Sequence, residues 1–270
     1  MRMNPPNLEN PKKHVKDSDQ YLKKKASFAK ILTIYGRKPV AEALEQPNVF
    51  PFRLHLADSN KPAAVIHEIT TQAKAKGAEV LYHSRAALSR ISKNSKQDQG
   101  VALDIQCQGF TTLEEFEQNT PQNYDLIAVD AVTNPQNLGM IIRSVCASPC
   151  TALLLPEQGC ARLDALVIKA SAGTLFKANI IRCNDLNKAI QSLQQNGAQA
   201  FALAGKGQFE LQNLPLTGRN IYVLGNETHG VSQAIMQTCQ HRLGIPMANG
   251  VESLNVSVTA SLVAFHTLYR

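Results

Sequence analysis

Apolar residues along this chain switch between two periods, and the switching predicts two successive α/β units. Residues 37–44 and 62–76 carry apolar side chains at helical spacing, the second run stopping at Gly77, and residues 86–91 form a shorter helical stretch. Between them, residues 52–57, 79–83 and 100–107 read as strands, so a small α/β domain is expected over 31–108. The segment 109–123 is polar, contains Pro121 and reads as a helical linker. Beyond it the strands change character. Runs rich in Val, Ile, Leu and Ala at 125–129, 152–155, 178–182, 199–204, 220–224 and 242–246 alternate with helices at 138–147, 165–173 and 186–195. An apolar helix follows Ser253. Strands apolar on both faces, with helices between them, predict a mostly parallel sheet covered on both sides, in a domain spanning 124–270.

Composition agrees with two compact domains: the chain has 270 residues, 44% hydrophobic. The net charge of +7 points to a polyanionic partner, and most of it comes from residues 1–30, which hold eight basic residues against three acidic ones. This arm is expected to be disordered. Its Lys12, Lys13, Lys16, Lys23, Lys24, Lys25 and Lys30 fit a phosphate-binding tail or a merely soluble one, and the sequence leaves both open. No run of eighteen apolar residues and no apolar core near the N-terminus suggest a span or a leader, so no membrane association and a cytoplasmic protein are expected. The six cysteines form no C-x-x-C pair and no histidine stands at finger-like spacing from them, so free thiols and no metal are expected.

In a parallel sheet ligands bind beyond the carboxyl ends of the strands, so the loops that follow strands carry the candidate chemistry. Three stand out. The first passes from Asp130 through Asn134, Pro135, Asn137 and Gly139 to Arg143; it reads equally as a functional loop and as a helix cap followed by a surface arginine. The second, 224–232, brackets Glu227 between Gly225 and Gly230, which suits either a backbone approaching a ligand closely or a plain glycine-rich turn. The third, 245–257, ends a strand at Pro246 and places Ser253, Asn255 and Ser257 at the start of the last helix, an arrangement also compatible with capping. Neither G-x-G-x-x-G opening a helix nor G-x-x-x-x-G-K occurs, which disfavours a Rossmann-type methyltransferase or an NTPase.

Taken together, the three loops resemble the signature motifs of the SpoU/TrmH branch of the SPOUT methyltransferases. D-x-x-x-x-P-x-N-x-G-x-x-x-R is matched at 130–143, L-G-x-E-x-x-G at 224–230, and I-P-M followed by S-L-N-V-S at 245–257, in the family's order and spacing. The first domain, with Ile34-Tyr35-Gly36 leading into a helix, resembles the small ribosomal-protein-like, RNA-binding domain of the rRNA-modifying members. One position departs: Asn249 stands where many relatives carry glycine, and Gly250 follows it.

The resemblance implies a deep trefoil knot in the C-terminal domain, an exception to the rule that chains do not thread. It implies S-adenosylmethionine as cofactor, with Leu224, Gly225, Ile245, Met247 and Leu254 as its contacts. It implies a homodimer in which Arg143 faces the cofactor held by the other subunit. The implied reaction is methylation of a ribose 2′-hydroxyl in RNA, with rRNA expected as substrate, tRNA as the alternative, and a non-catalytic RNA-binding protein as a different class of reading. Asn137, Arg143, Glu227, Ser253 and Asn255 form the implied catalytic set. A guanidinium with a pKa above about 12 is a poor base. Arg143 is therefore expected to grip a phosphate and polarise the hydroxyl, while Asn137, Ser253 and Asn255 orient it and Glu227 fixes the arrangement. His229 lies in the second motif at a position without a role in the family, and Lys169 and Lys177 fit an RNA groove or a solvated surface alike.

Overall fold

The computed structural model describes residues 28, 30–205, 207–214 and 218–268. The basic arm, apart from Phe28 and Lys30, lies outside the described residues. Four strands, β1 (Ile31–Tyr35), β2 (Pro51–Ala57), β3 (Glu79–His83) and β4 (Val101–Gln106), form the first sheet in the order β1-β4-β2-β3. Because β4 is antiparallel to both β1 and β2, and β3 is parallel to β2, the strands β1, β2 and β3 all point the same way. Each runs into a helix: α1 (Arg37–Glu45), α2 (Ala64–Ala75) and α3 (Arg85–Ser92). Val40, Leu44, Ile69 and Ala73 of α1 and α2 are buried in one apolar cluster with Leu54, Leu56 and Leu103 of the sheet. Gly36 makes the turn from β1 into α1 at φ 95°, a region that a Cβ disfavours.

The second sheet has eight strands: β5 (Phe110–Thr112), β6 (Tyr124–Val129), β7 (Ala152–Pro156), β8 (Ile180–Cys183), β9 (Gln199–Leu203), β10 (Phe209–Glu210), β11 (Arg219–Leu224) and β12 (His241–Gly244). Their order is β10-β12-β9-β11-β6-β7-β8-β5, and every pairing is parallel. The helices are α4 (Leu113–Gln118), α5 (Pro135–Ala147), α6 (Ala165–Ala170), α7 (Leu186–Gln195), α8 (Gln233–Thr238) and α9 (Val256–Ala264). Successive residues of β6 face opposite sides. Ile127 and Val129 join the cluster built with α5, α6 and α9, and Leu126 and Ala128 join the one built with α4, α7 and α8. Burial on both faces is what made these strands continuous apolar runs.

Parallel pairing throughout puts every carboxyl end on one edge of the sheet. From β6 the chain moves outward through β7 and β8, then crosses to β9 on the other side, and β11 returns to lie against β6. The strand order therefore reverses beside β6 and β11, the place where open α/β sheets form ligand crevices.

Three strands depart from the sequence expectation: β1, β5 and β10. The segment read as a linker, 109–123, contributes β5 to the edge of the large sheet and then forms α4, closed by a capping box between Thr112 and Glu115. A three-residue edge strand has no periodicity to read. Tertiary contact holds it, since a Cβ on Gly109 would stand 2.4 Å from the Ala178 carbonyl oxygen. The helix expected over 165–173 stops at Ala170, because Ala172 (φ 50°) and Gly173 (φ 74°) are left-handed, and a 3-10 turn, Thr174–Phe176, follows. No helix among the described residues is long and apolar enough to cross a membrane.

Gly139 of the first motif is explained by packing. A Cβ there would meet the Ala170 Cβ at 2.5 Å and the Val167 carbonyl oxygen at 2.8 Å, so the absent side chain lets α5 and α6 touch backbone to backbone. Gly139→Ala is expected to lower the melting temperature. Overpacking of about 1–3 kcal/mol against backbone that cannot rotate aside exceeds the roughly 1 kcal/mol that alanine gains over glycine in a helix. Calorimetry returning an unchanged or higher melting temperature would show that α6 can shift.

Candidate active site

The loops that follow β6, β11 and β12 meet at the point where the strand order reverses. The first is anchored at its start: Asp130 NH donates to Leu224 O at 2.8 Å, and its carboxylate accepts from Ser232 NH at 2.7 Å. Asn134 then caps α5, its side-chain oxygen accepting from Gln136 NH at 2.9 Å and Asn137 NH at 3.4 Å, with Pro135 in the first turn.

The second loop folds back on itself. Asn226 and Gly230 form an isolated antiparallel bridge with hydrogen bonds of 2.9 and 2.8 Å in the two directions. The Asn226 side chain accepts from Thr228 NH at 2.8 Å and donates to Ala131 O at 2.9 Å, which ties the second loop to the first. Gly225 makes this possible, because a Cβ there would lie 2.0 Å from the backbone of Gly230 and of Val231. At the tip of the loop Glu227 is exposed. The third loop follows β12 and delivers Asn255 as the N-cap of α9, its oxygen accepting from Ser257 NH at 2.8 Å and Ser257 Oγ at 2.6 Å. Asn249, in the place of a family glycine, takes φ 55°, a conformation asparagine tolerates better than most side chains.

Three expected catalytic residues join in one directional chain. The Ser257 hydroxyl donates to the Asn255 amide oxygen, the Asn255 amide nitrogen donates to Asn137 Oδ1 at 3.2 Å, and Asn137 Nδ2 donates to Glu227 Oε1. Each amide uses its acceptor on one side and its donor on the other, so the chain needs a hydrogen-bond acceptor at its end, and an ionised carboxylate is acceptor-only. Asn137 is buried, and a buried amide left without partners would cost about 1–3 kcal/mol.

Beside this chain lies a cleft of about 340 Å³. All five residues expected to touch the cofactor line it: Leu224, Gly225, Ile245, Met247 and Leu254. Glu227 and Ser253 line it too, Ser253 being exposed and making no hydrogen bond among the described residues. Arg143 stands apart: it is exposed on α5, does not line the cleft, and makes no hydrogen bond or ion pair among the described residues. Within one protomer the expected catalytic set is therefore four residues together and one elsewhere. His229 is exposed and offers its backbone NH to Asn226.

Sequence reading did not show how Asp130, Asn226, Ser232 and Ser257 lock the loops. Asp130 and Asn226 stand inside the motifs, but nothing in a linear string shows that one carboxylate caps a loop a hundred residues away. The nearby thiols are poor nucleophiles. Burial pushes Cys160 above its ordinary value against hydrogen bonds from the Val132 and Ala131 backbone, and burial pushes Cys239 up to about 11.

The sequence profile of the SpoU rRNA Methylase family matches residues 125–265, more than half of the chain and all three loops. The chain belongs to this family. A second profile, described as RNA 2′-O ribose methyltransferase substrate binding, matches residues 33–108. A protein of Mycobacterium avium (strain 104) named an uncharacterized tRNA/rRNA methyltransferase is 31% identical over 234 residues, covering 86% of this chain and 75% of the relative. A similarly named protein of Mycolicibacterium smegmatis is 29% identical over 266 residues, 97% of this chain and 83% of that one.

Among solved structures, the SpoU methyltransferase AviRb from Streptomyces viridochromogenes, in complex with the cofactor AdoMet, superposes with a TM-score of 0.60 at 18% identity and covers 93% of both chains. The AdoMet-bound rRNA methyltransferase from Sinorhizobium meliloti gives 0.59 at 20% identity, over 93% of this chain and 90% of that one. These likenesses establish that this SpoU chain shares their two-part α/β fold.

Asn255 has two jobs in this SpoU site, and one substitution separates them. Asn255→Asp keeps an acceptor to cap α9 but cannot donate to Asn137. Methyl transfer should fall at least about tenfold, equivalent to roughly 1.4 kcal/mol, with the melting temperature within about 2–4 °C of wild type. A large drop in melting temperature with unimpaired turnover per folded molecule would instead assign Asn255 to capping alone.

Proposed function

We propose that this chain transfers the methyl group of S-adenosylmethionine to a ribose 2′-hydroxyl of large-subunit rRNA. The observation that carries the reading is the chain of hydrogen bonds through Glu227, Asn137 and Asn255 at the mouth of the 340 Å³ cleft. That volume lies within the roughly 300–1,000 Å³ typical of small-ligand sites. The cleft suits the cofactor chemically: Leu224, Leu243, Ile245 and Leu254 offer apolar surface for a flat base, and Gly225 exposes backbone. The carboxylates of Glu227 and Glu252 complement positive charge. Bound there, the cofactor supplies an activated sulfonium methyl.

The chain itself must align the attacking oxygen, exclude competing geometries and ease the departure of the hydroxyl proton. Alignment of this kind can contribute roughly 7–11 kcal/mol. Asn137 and Asn255 are fixed by their own hydrogen bonds and cannot reorient freely, which is the preorganisation such a site needs. Arg143 acts as a clamp: its planar fork suits a phosphate, and it remains protonated throughout. On this reading it serves the cleft of a second protomer. Met140, Val258 and Leu262, at 47%, 45% and 40% exposure, form an apolar strip on α5 and α9 beside it that suits a homodimer contact. The reading also carries the trefoil knot that the family resemblance implies and the cytoplasmic site of action expected from the sequence.

The decisive experiment incubates the protein with labelled S-adenosylmethionine and, separately, unmodified large-subunit rRNA and a tRNA pool, and then analyses nucleosides. An alkali-resistant 2′-O-methylated dinucleotide from rRNA is expected. The same product from tRNA alone would reassign the substrate, and base methylation would overturn the reaction. Arg143→Lys should lower kcat by about two orders of magnitude, in line with the loss of one preorganised donor group, and near-normal turnover would refute the bidentate clamp. Mixing Arg143→Ala with Glu227→Ala subunits should restore up to about a quarter of wild-type activity, one dimer arrangement in two holding one intact site of two. A mixture as inactive as its parents would place both residues in the site of one chain.

A further inference from the structure

The substrate-binding domain repeats the geometry of the large sheet on a smaller scale. β1, β2 and β3 all end at one edge, so Arg37 at the start of α1, the turn 58–61 after β2, and Arg85 at the start of α3 converge there with the loop that precedes β4. Between them lies a cleft of about 780 Å³, walled by Arg37, Lys61, Arg85, Ser59, Asn60 and Gln99, and among the described residues no carboxylate lines it.

The walls are held in place from behind. Asp98, with a fully buried side chain, accepts from Gly100 NH at 2.9 Å, Ser92 Oγ at 3.0 Å and Ser89 Oγ at 3.3 Å, and pairs with Arg85 Nη2 at 3.0 Å. This fixes Arg85 and the loop together. Gln99, left-handed at φ 49°, accepts from Arg37 NH at 3.0 Å, and its carbonyl accepts from Arg37 Nε at 3.4 Å. Asn60 donates to Gly100 O at 2.7 Å. Lys61 makes no hydrogen bond or ion pair among the described residues. With Asp98 offsetting Arg85, two positive charges remain uncompensated. The N-termini of α1 and α2, whose N-cap residues Gly36 and Ala63 provide no side-chain cap of their own, add their dipoles in the same sense. A strained backbone held by a buried carboxylate, for the sake of a cationic hollow, is a costly arrangement unless it receives an anion.

We propose that the Arg37–Lys61–Arg85 cleft binds a backbone phosphate of the RNA substrate. Its polar wall of Ser59, Asn60 and Gln99 suits the oxygens of a phosphodiester and its neighbouring ribose, and no aromatic side chain lines it on which a base could stack. Gln99 also lines a smaller hollow shared with Asp164 and Leu166 at the start of α6, which sets the cleft beside the SpoU domain. The proposal rests on the methyltransferase reading only in taking RNA as the polyanion.

The test is a salt titration of binding to an unmodified large-subunit rRNA transcript, using the full chain. The double variant Arg37→Ala/Lys61→Ala should bind at least about tenfold more weakly, with the slope of log affinity against log salt shallower by about one to two. A charge-matched control, Lys74→Ala/Lys188→Ala, should keep the wild-type slope. Because Arg37 also supports the Gln99 loop, Lys61→Glu repeats the measurement with a side chain that holds nothing else in place. Wild-type affinity and slope in both cleft variants, or equal losses in the control, would overturn the site. A wild-type protein that binds the transcript with the expected slope yet methylates no RNA would refute the proposed reaction and leave this site standing. Methylation by wild type with unchanged binding in the cleft variants would refute this site alone, and failure of wild type to bind the transcript would refute both.

Discussion

Asn137 is an amide that can be buried only if both its ends are satisfied, and the way it is satisfied sets the geometry of everything around it. Its donor goes to Glu227, 90 residues away in sequence, and its acceptor to Asn255, 118 residues away. Either contact alone would tolerate a rotated amide. Both together, with Asn255 already committed to capping α9, leave one orientation for each group. Three loops that could each move independently are thereby reduced to one rigid mouth, which is the condition for a site that works by alignment.

That geometry rests on close backbone approaches made earlier in the hierarchy. Gly139 lets α5 settle onto α6 and so fixes the height at which Asn137 enters the site; Gly225 lets the second loop double back, which turns Glu227 towards Asn137. Asp130 and Asn226 then cross-link the first two loops through backbone groups. Parallel pairing is the prior requirement, since an antiparallel strand at β11 would carry Glu227 to the opposite end of the sheet. Side chains, glycines and strand direction thus form one dependency, each level pointless without the one below it.

Much of this was readable in the sequence, and the limits have physical causes. The strands β6, β7, β9 and β11 announced themselves because burial on both faces favours apolar runs, and the motif spacing located the three loops and the cleft-lining residues. β5 escaped because three residues at a sheet edge are held by partners such as Ile180 and Ile181, and not by any pattern of their own. The capping alternative raised for the third loop proved to be true of Asn255 without excluding the functional one: the same oxygen that caps α9 orients the amide that reaches Asn137. A string of letters cannot separate two roles carried by opposite ends of one side chain. Nor could it show that Gly139 serves packing while Gly225 serves a folded loop, since both read simply as glycine.

The two arginines Arg85 and Arg143 show how far a local environment decides what a residue is for. Arg85 has a buried carboxylate behind it, which holds one end of its fork while the side chain lines a cleft; much of the rotamer entropy lost on gripping a ligand has already been lost in folding. Arg143 has no such partner among the described residues. An unrestrained arginine surrenders about 2 kcal/mol of side-chain freedom when it is fixed, and a clamp that must be fixed anew at every turnover is a poor one. If Arg143 is the clamp proposed above, a group outside the protomer must order it before or as the substrate arrives. The apolar strip of Met140, Val258 and Leu262 beside it gives a reason to expect a second subunit there, because a packed neighbour would confine the arginine's stem while leaving its charged end free to meet phosphate. On the proposed dimeric reading, the exposed position of Arg143 in one chain belongs to the mechanism: the residue left unfinished by the fold is the one that a second subunit would complete.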